Sequence, residues 1–210
     1  MKQLLVVLVL VFLTISAQAQ TITGIWNLAG QHEMAAGFEF KPDSTFRFFY
    51  AYGAADRYAE GRWTMKGDTI HLRSRKPAGK DFSVLKQKKA GKGYSIEIQD
   101  KNSHLIEHVR CYAFAGGKRQ FYESDQHGKI EIPLTSCDTL YLQHPFFPDI
   151  ASLLKDVHNT NRHFVVGLAT HISEVSFKGI DFWLEVDGAL HCHPNYFMPM
   201  ENIRFEKGEK

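Results

Sequence analysis

Alternation of apolar and polar side chains with a period of two is the feature that most constrains what this chain can fold into. Phe46-Arg47-Phe48-Phe49-Tyr50-Ala51-Tyr52 sets Phe46, Phe48, Tyr50 and Tyr52 on one face of a strand and Arg47 on the other. Phe38-Glu39-Phe40 alternates before it, and Lys41-Pro42-Asp43-Ser44 supplies turn chemistry between them, so the two segments predict a hairpin. A second hairpin is expected where Gly61 to Met65 and Thr69 to Leu72 flank Lys66-Gly67-Asp68. Further strands are expected at Tyr94 to Ile98, Gln120 to Glu123, Lys129 to Ile132, Leu140 to Leu142, Phe164 to Val166, Ile172 to Phe177 and Phe182 to Val186. Only one stretch has helical spacing. In 149–158, Ile150, Leu153, Leu154 and Val157 share a face, with Asp149 as the cap. The expected fold class is all-β, an antiparallel meander or partial barrel followed by a β-sandwich, with one short helix.

The N-terminus carries its own signal. Lys2, the apolar run Leu4 to Leu13 and the small residues through Ala17-Gln18-Ala19 have the pattern of a secretory signal peptide, residues 1–19, cleaved after Ala19. The run is short for a membrane span, and no later stretch approaches one, so no transmembrane segment is expected after cleavage. The mature protein is expected to be secreted or periplasmic. Lys+Arg 25 against Asp+Glu 23 gives a formal charge of +2, which offers no electrostatic reason for a nucleic-acid partner. The chain has 3 cysteines, which cannot all pair within one chain: either one disulfide and one free thiol form, or none, and Cys111 with Cys137 is the favoured pair, leaving Cys192 spare.

The basic, glycine-containing stretch 86–93 is read as a boundary between two modules, residues 20–90 and 93–210. Gly24-Ile25-Trp26, the aromatic hairpins and Gly61-Arg62-Trp63 together resemble the lipocalin-like domains of exported bacterial proteins. That resemblance implies an antiparallel barrel around an apolar cavity. The segment supplies four or five strands, fewer than the roughly eight of a closed barrel, so a partial barrel is expected. Downstream, "IQDKNSHLIEHVRCYAF", "ESDQHGKIEIP" and "CDTLYL" are similar to carboxypeptidase-regulatory-like domains, which are transthyretin-like sandwiches. The positions that carry the similarity are Leu105, Val109, Asp125, Gly128, Ile130, Ile132, Asp138, Leu140 and Leu142. It implies a folding, spacer or docking module without catalytic residues.

Candidate chemistry is sparse. His104-Leu105-Ile106-Glu107-His108 fits the H-x-x-E-H pattern of a zinc peptidase, which needs a helix, whereas Leu105 to Val109 reads as a strand that points Glu107 away from both histidines. His191-Cys192-His193 is better placed. In an extended segment His191 and His193 share a face and can chelate a divalent metal, while Cys192 turns to the other face. The competing reading is a strand end with surface histidines around a small buried cysteine. No Gly-x-Ser-x-Gly, phosphate loop, dinucleotide fingerprint or C-x-x-C pair occurs. The leading expectation is a non-enzymatic exported protein that binds a small apolar ligand or docks a cell-envelope protein, with Phe46, Phe48, Tyr50, Tyr52 and Trp63 as its ligand face. No cofactor is expected under that reading. The alternatives are a metal-binding protein or metal-dependent enzyme using His191 and His193, and a purely structural assembly module.

Overall fold

The structure is a computed structural model that describes residues 22–53 and 55–208. The expected signal peptide, 1–19, lies outside the described residues. The chain is all-β: the described residues form sixteen strands, with a 3-10 turn at Ser103–Leu105. No helix among the described residues is long and apolar enough to cross a membrane.

Two compact units form. One takes the described residues up to Arg75 together with those from Phe177 onward, and the other takes Lys76–Ser176. This divides the chain differently from the expected split at 90–93. β6 (Phe82–Lys88) and β7 (Tyr94–Gln99) lie in one sheet, and both pair with β13 (His163–Leu168). The basic stretch is the end of β6 and the solvated turn after it, inside the second unit, because strand pairing, which composition does not report, bridges it.

The first unit is a closed barrel. Its strands are β1 (Gly24–Leu28), β2 (Met34–Phe40), β3 (Thr45–Tyr52), β4 (Ala55–Lys66), β5 (Thr69–Ser74), β14 (Asp181–Leu184), β15 (Leu190–Cys192) and β16 (Ile203–Lys207). Around the barrel they run β1-β16-β15-β14-β5-β4-β3-β2, every neighbour antiparallel. The partial barrel expected from the first module is thus completed by three strands from the far end of the chain. Both hairpins form as expected. Asp43 Oδ1 accepts from the Thr45 N–H at 3.0 Å and its hydroxyl at 2.6 Å, and these bonds hold the Asp43 carboxyl below its usual range. Lys66 pairs with Thr69 across Gly67-Asp68, where Gly67 takes φ +63°.

The barrel interior is filled. Phe38 lies at its centre, with ring centroids of Phe40, Phe48, Phe177, Phe182 and Phe205 between 4.7 and 5.5 Å away. Phe177 is not on a strand; the chain enters the barrel there on its return from the second unit, and the Phe177 N–H donates to Ser74 Oγ at 2.9 Å. An eight-stranded barrel is just wide enough for its own side chains or for one small ligand, and here the Phe177 ring adds to those of the strands.

The second unit is a sandwich of two four-stranded sheets. One is ordered β10-β7-β13-β6, with β10 at Lys129–Ile132; the other is β12-β11-β8-β9, with β8 Arg110–Ala115, β9 Lys118–Glu123, β11 Thr139–Gln143 and β12 Ser152–Lys155. Ile96, Ile98, Ile130, Ile132, Phe164 and Val166 of the first sheet pack on Cys111, Ala113, Leu140, Leu142 and Leu154 of the second. The Asp125–Gly128 turn forms as expected, with Asp125 Oδ1 accepting from the His127 and Lys129 N–H groups.

The helix expected over 149–158 is absent; β12 occupies that segment. It pairs with β11, and Leu154 faces inward while Leu153, Ile150 and Val157 are exposed. A three-and-four spacing of apolar residues was therefore coincidental, and cross-strand pairing overrode it. Likewise, Leu105 to Val109 is not a strand: a 3-10 turn and a bend carry it, and β8 starts only at Arg110.

Two stability consequences follow from this packing. Phe38→Ala empties the barrel's centre and should cost about 3–5 kcal/mol in chemical denaturation. His144 is buried, accepting from the Phe146 N–H at Nδ1 (3.2 Å) and donating from Nε2 to the Leu105 carbonyl (3.0 Å). Burial lowers its pKa from 6.5, with the Leu105 carbonyl and Asp100 opposing. The unfolded chain takes up that proton first as pH falls, so this contribution to stability is complete above pH 6.5 and declines below it. His144→Gln should flatten the decline in denaturation midpoints measured between neutral and mildly acidic pH.

Candidate functional site

The expected ligand face divides once the barrel closes. Phe46, Phe48 and Trp63 are core residues, each nearly without exposure. Phe46 and Phe48 meet the Phe177 ring edge-on at 5.7 and 5.0 Å. Trp63 packs edge-on against Phe40 at 5.9 Å and donates from Nε1 to the Lys41 carbonyl at 3.2 Å. This end of the barrel is stopped. Ile22 is fully buried and accepts the Trp26 indole N–H at 2.8 Å, and Lys207 Nζ stands 5.5 Å from the Trp26 ring.

Tyr50 and Tyr52 lie at the other end of the same strand, and there the barrel opens. A cleft of about 550 Å³ is lined by Tyr50 and Tyr52, by Gln31, His32, Glu33 and Met34 from the β1–β2 connection, and by Pro199 and Met200 from the β15–β16 connection. Alternation of β3 leads from phenylalanines at the centre to tyrosines at the rim, where hydroxyls can reach water. Below the cleft, Arg57 is opposite Tyr50 in register, is 3% exposed, and sits 5.9 Å over the Phe197 ring. Burial pushes the Tyr50 hydroxyl's pKa up, against the pull of Arg57. The cleft therefore offers apolar aromatic and thioether surface with polar groups at its edge, a combination that fits an amphipathic ligand.

A second depression, about 380 Å³, runs along the outside of β1–β4. Ile25, Phe49 and Tyr58 are each about half exposed along it. The Phe49 ring covers Gly37: a Cβ added there would lie 2.6 Å from a ring carbon. Arg47 pairs with Glu60 at 3.3 Å on its flank. Sequence reading missed this groove because it followed the inward half of each strand; the outward half, Phe49 and Tyr58, was legible in the same alternation.

His191 and His193 flank the Trp183 ring at 6.4 and 4.8 Å, and His191 Nε2 is 3.9 Å from Asp187. Cys192 turns inward, as the alternation of β15 requires. Among the described residues no group of three or more histidine, cysteine, aspartate or glutamate side chains converges to hold a metal. The expected Cys111–Cys137 disulfide is not made. All three cysteines are free, buried thiols, and Cys137 Sγ points at the Phe114 and Thr139 carbonyls at 3.3 and 3.2 Å.

No family model, curated protein or solved structure matches the chain. The geometry of the molecule itself must carry the functional reading.

Burial pushes the Cys111 and Cys192 thiols up to about 12, so neither forms appreciable thiolate at neutral pH. Both should resist iodoacetamide in the folded chain and label rapidly in denaturant, with the labelled positions located by peptide mass.

Proposed function

We propose that this is an exported, non-enzymatic binding protein that takes a small amphipathic ligand at the open end of its barrel. The observation that carries the reading is the cleft of about 550 Å³ in which Tyr50, Tyr52, Met34 and Met200 converge beside His32 and Glu33. Its size falls in the range of small-molecule sites, and it lies at a barrel mouth, a recurrent place for them. The lipocalin-like character of this unit is supported by the eight-stranded antiparallel barrel and by Gly24-Ile25-Trp26 on its first strand. The site differs from an enclosed calyx, because it lies at the mouth, with phenylalanine rings packed below it. The sandwich of two four-stranded sheets supports the carboxypeptidase-regulatory-like reading of the second unit, as a spacer or docking module. Export to the periplasm or beyond rests on the N-terminal signal.

A second reading has an observation of its own. The outer groove brings the half-exposed Ile25, Phe49 and Tyr58 together along one depression, which suits a cell-envelope protein partner.

An environment-sensitive amphipathic dye distinguishes the two. Tyr52→Ala and Met34→Ala should weaken dye binding roughly tenfold or more, whereas Phe49→Ala should leave it unchanged. Dye binding lost in Phe49→Ala and kept in Tyr52→Ala would move the site to the outer groove.

A further inference from the structure

We propose that Lys76 and Asp81 condense into a side-chain amide, a covalent cross-link within the sandwich unit, with Asp149 carrying the proton. The inference is independent of the ligand reading.

The three side chains meet in a site closed to water. Lys76 Nζ stands 2.6 Å from Asp81 Oδ1 and 2.9 Å from Asp149 Oδ2, with side-chain exposures of 0% for Lys76, 4% for Asp81 and 0% for Asp149. A contact that short to one carboxyl oxygen brings the amine to about 3–3.5 Å from the carboxyl carbon, the separation of a near-attack arrangement. The backbone around it is fixed. The Asp81 N–H donates to Ser152 Oγ at 2.8 Å, and the Asp81 carbonyl accepts the Ala169 N–H at 2.9 Å. The carbonyls of Glu174 (2.8 Å) and Ile172 (3.3 Å) orient Nζ from the other side.

The stoichiometry of charge separates this cluster from an ordinary ion pair. Two buried carboxylates contact one ammonium, at 2.6 and 2.9 Å. Lys155, also buried in this unit, shows how the chain accommodates a lysine without chemistry: its ammonium is held by the Cys137, Asp138 and Asp156 carbonyls. The second carboxylate at Lys76 is the base that amide formation requires. Asp149 suits that role better than the role of electrophile. Its oxygens already accept the Ile150 N–H at 2.7 Å and the Ser176 N–H at 3.2 Å, which hold the carboxyl in place beside Nζ.

The step balances without oxidant or cofactor. Asp149 relays one proton from the Lys76 ammonium to the Asp81 carboxylate, which frees the nitrogen lone pair and leaves Asp81 as a neutral acid open to attack. The Nζ–Cγ bond forms at Asp81, and the tetrahedral carbon expels one carboxyl oxygen. That oxygen leaves as water with two protons from the former ammonium, relayed through Asp149, which ends as the carboxylate it began as. An ammonium and a carboxylate become one neutral amide and one water, and the remaining amide N–H keeps an acceptor. Exclusion of bulk water opposes the reverse hydrolysis. The product closes a ring around Pro77-Ala78-Gly79-Lys80, at the start of the unit.

Intact mass spectrometry of the denatured wild-type chain is the test. The expected result is a mass one water below that of the sequence, with fragment ions joining peptides 76–80 and 81–86 through their side chains. Lys76→Met and Asp81→Ala should each restore the full mass, and Asp149→Asn should accumulate the uncondensed chain. A wild-type chain of full mass overturns the proposal, and that measurement needs no variant to fold. A deficit that survives in Lys76→Met also overturns it, since cyclisation at Asp187-Gly188 loses the same water. Complete condensation in Asp149→Asn removes Asp149 from the mechanism.

Discussion

Antiparallel pairing of β1 with β16 is the constraint on which the first unit depends. Trp26, Asn27 and Leu28 pair with Lys207, Glu206 and Phe205, and this register closes the sheet into a ring without edges. Closure at eight strands fixes the interior radius, and the radius fixes what can be inside. Phe38 then has neighbours on all sides, from β2, β3, β14, β16 and the loop at Phe177, so the unit's core is a single aromatic cluster. The β5–β14 pairing carries the same ring across the point where the second unit interrupts the sequence; Ser74 and Phe177 meet there through one hydrogen bond. Chain ends held that close allow an insertion of a hundred residues without opening the barrel.

A filled interior relocates binding surface. Side chains that would have lined a calyx stabilise the fold instead, and ligand-sized clefts lie at the mouth, where β3 ends in tyrosines, and outside, where Gly37 leaves room for the Phe49 ring. The second unit has a different economy of polar groups. Its core is mainly aliphatic, with Tyr94, Phe164 and two thiols, and three of its buried charges, Lys76, Asp81 and Asp149, meet at one cluster. That cluster is where covalent chemistry is proposed, since water is excluded there and the groups are held within bonding reach.

Local structure was legible wherever it rests on neighbours in sequence. The Asp43 and Asp125 turns form through side-chain bonds to backbone groups two to four residues away, and strands such as β3, β4 and β7 alternate buried and more exposed residues. By contrast, β6 and β9 are exposed almost throughout, and the strand expected at Ile172 to Phe177 does not form. The candidate site was half legible. The stripe Phe46, Phe48, Tyr50, Tyr52 shares a face as read, yet its first two members are core and its last two are rim, a distinction set by the closure of strands more than a hundred residues away. The segment 149–158 failed for the same reason: Ile150, Leu153, Leu154 and Val157 satisfy helical spacing, but β11 was waiting with a register that buries Ser152 and Leu154. The basic stretch at 86–93 resembles a linker by composition, and only β13, some seventy residues on, makes it internal to a sheet.

By itself the sequence determined that the chain is all-β, which faces of its strands are apolar, and where its tight turns fall, because those properties are set by backbone geometry and side-chain alternation over a few residues. Tertiary structure alone decided that the C-terminal strands belong to the N-terminal barrel, that Phe177 fills it, and that Lys76, Asp81 and Asp149 converge. Each of these is a long-range pairing or packing event. Its energy depends on surfaces brought together from distant parts of the chain, and no local pattern records which partner will arrive.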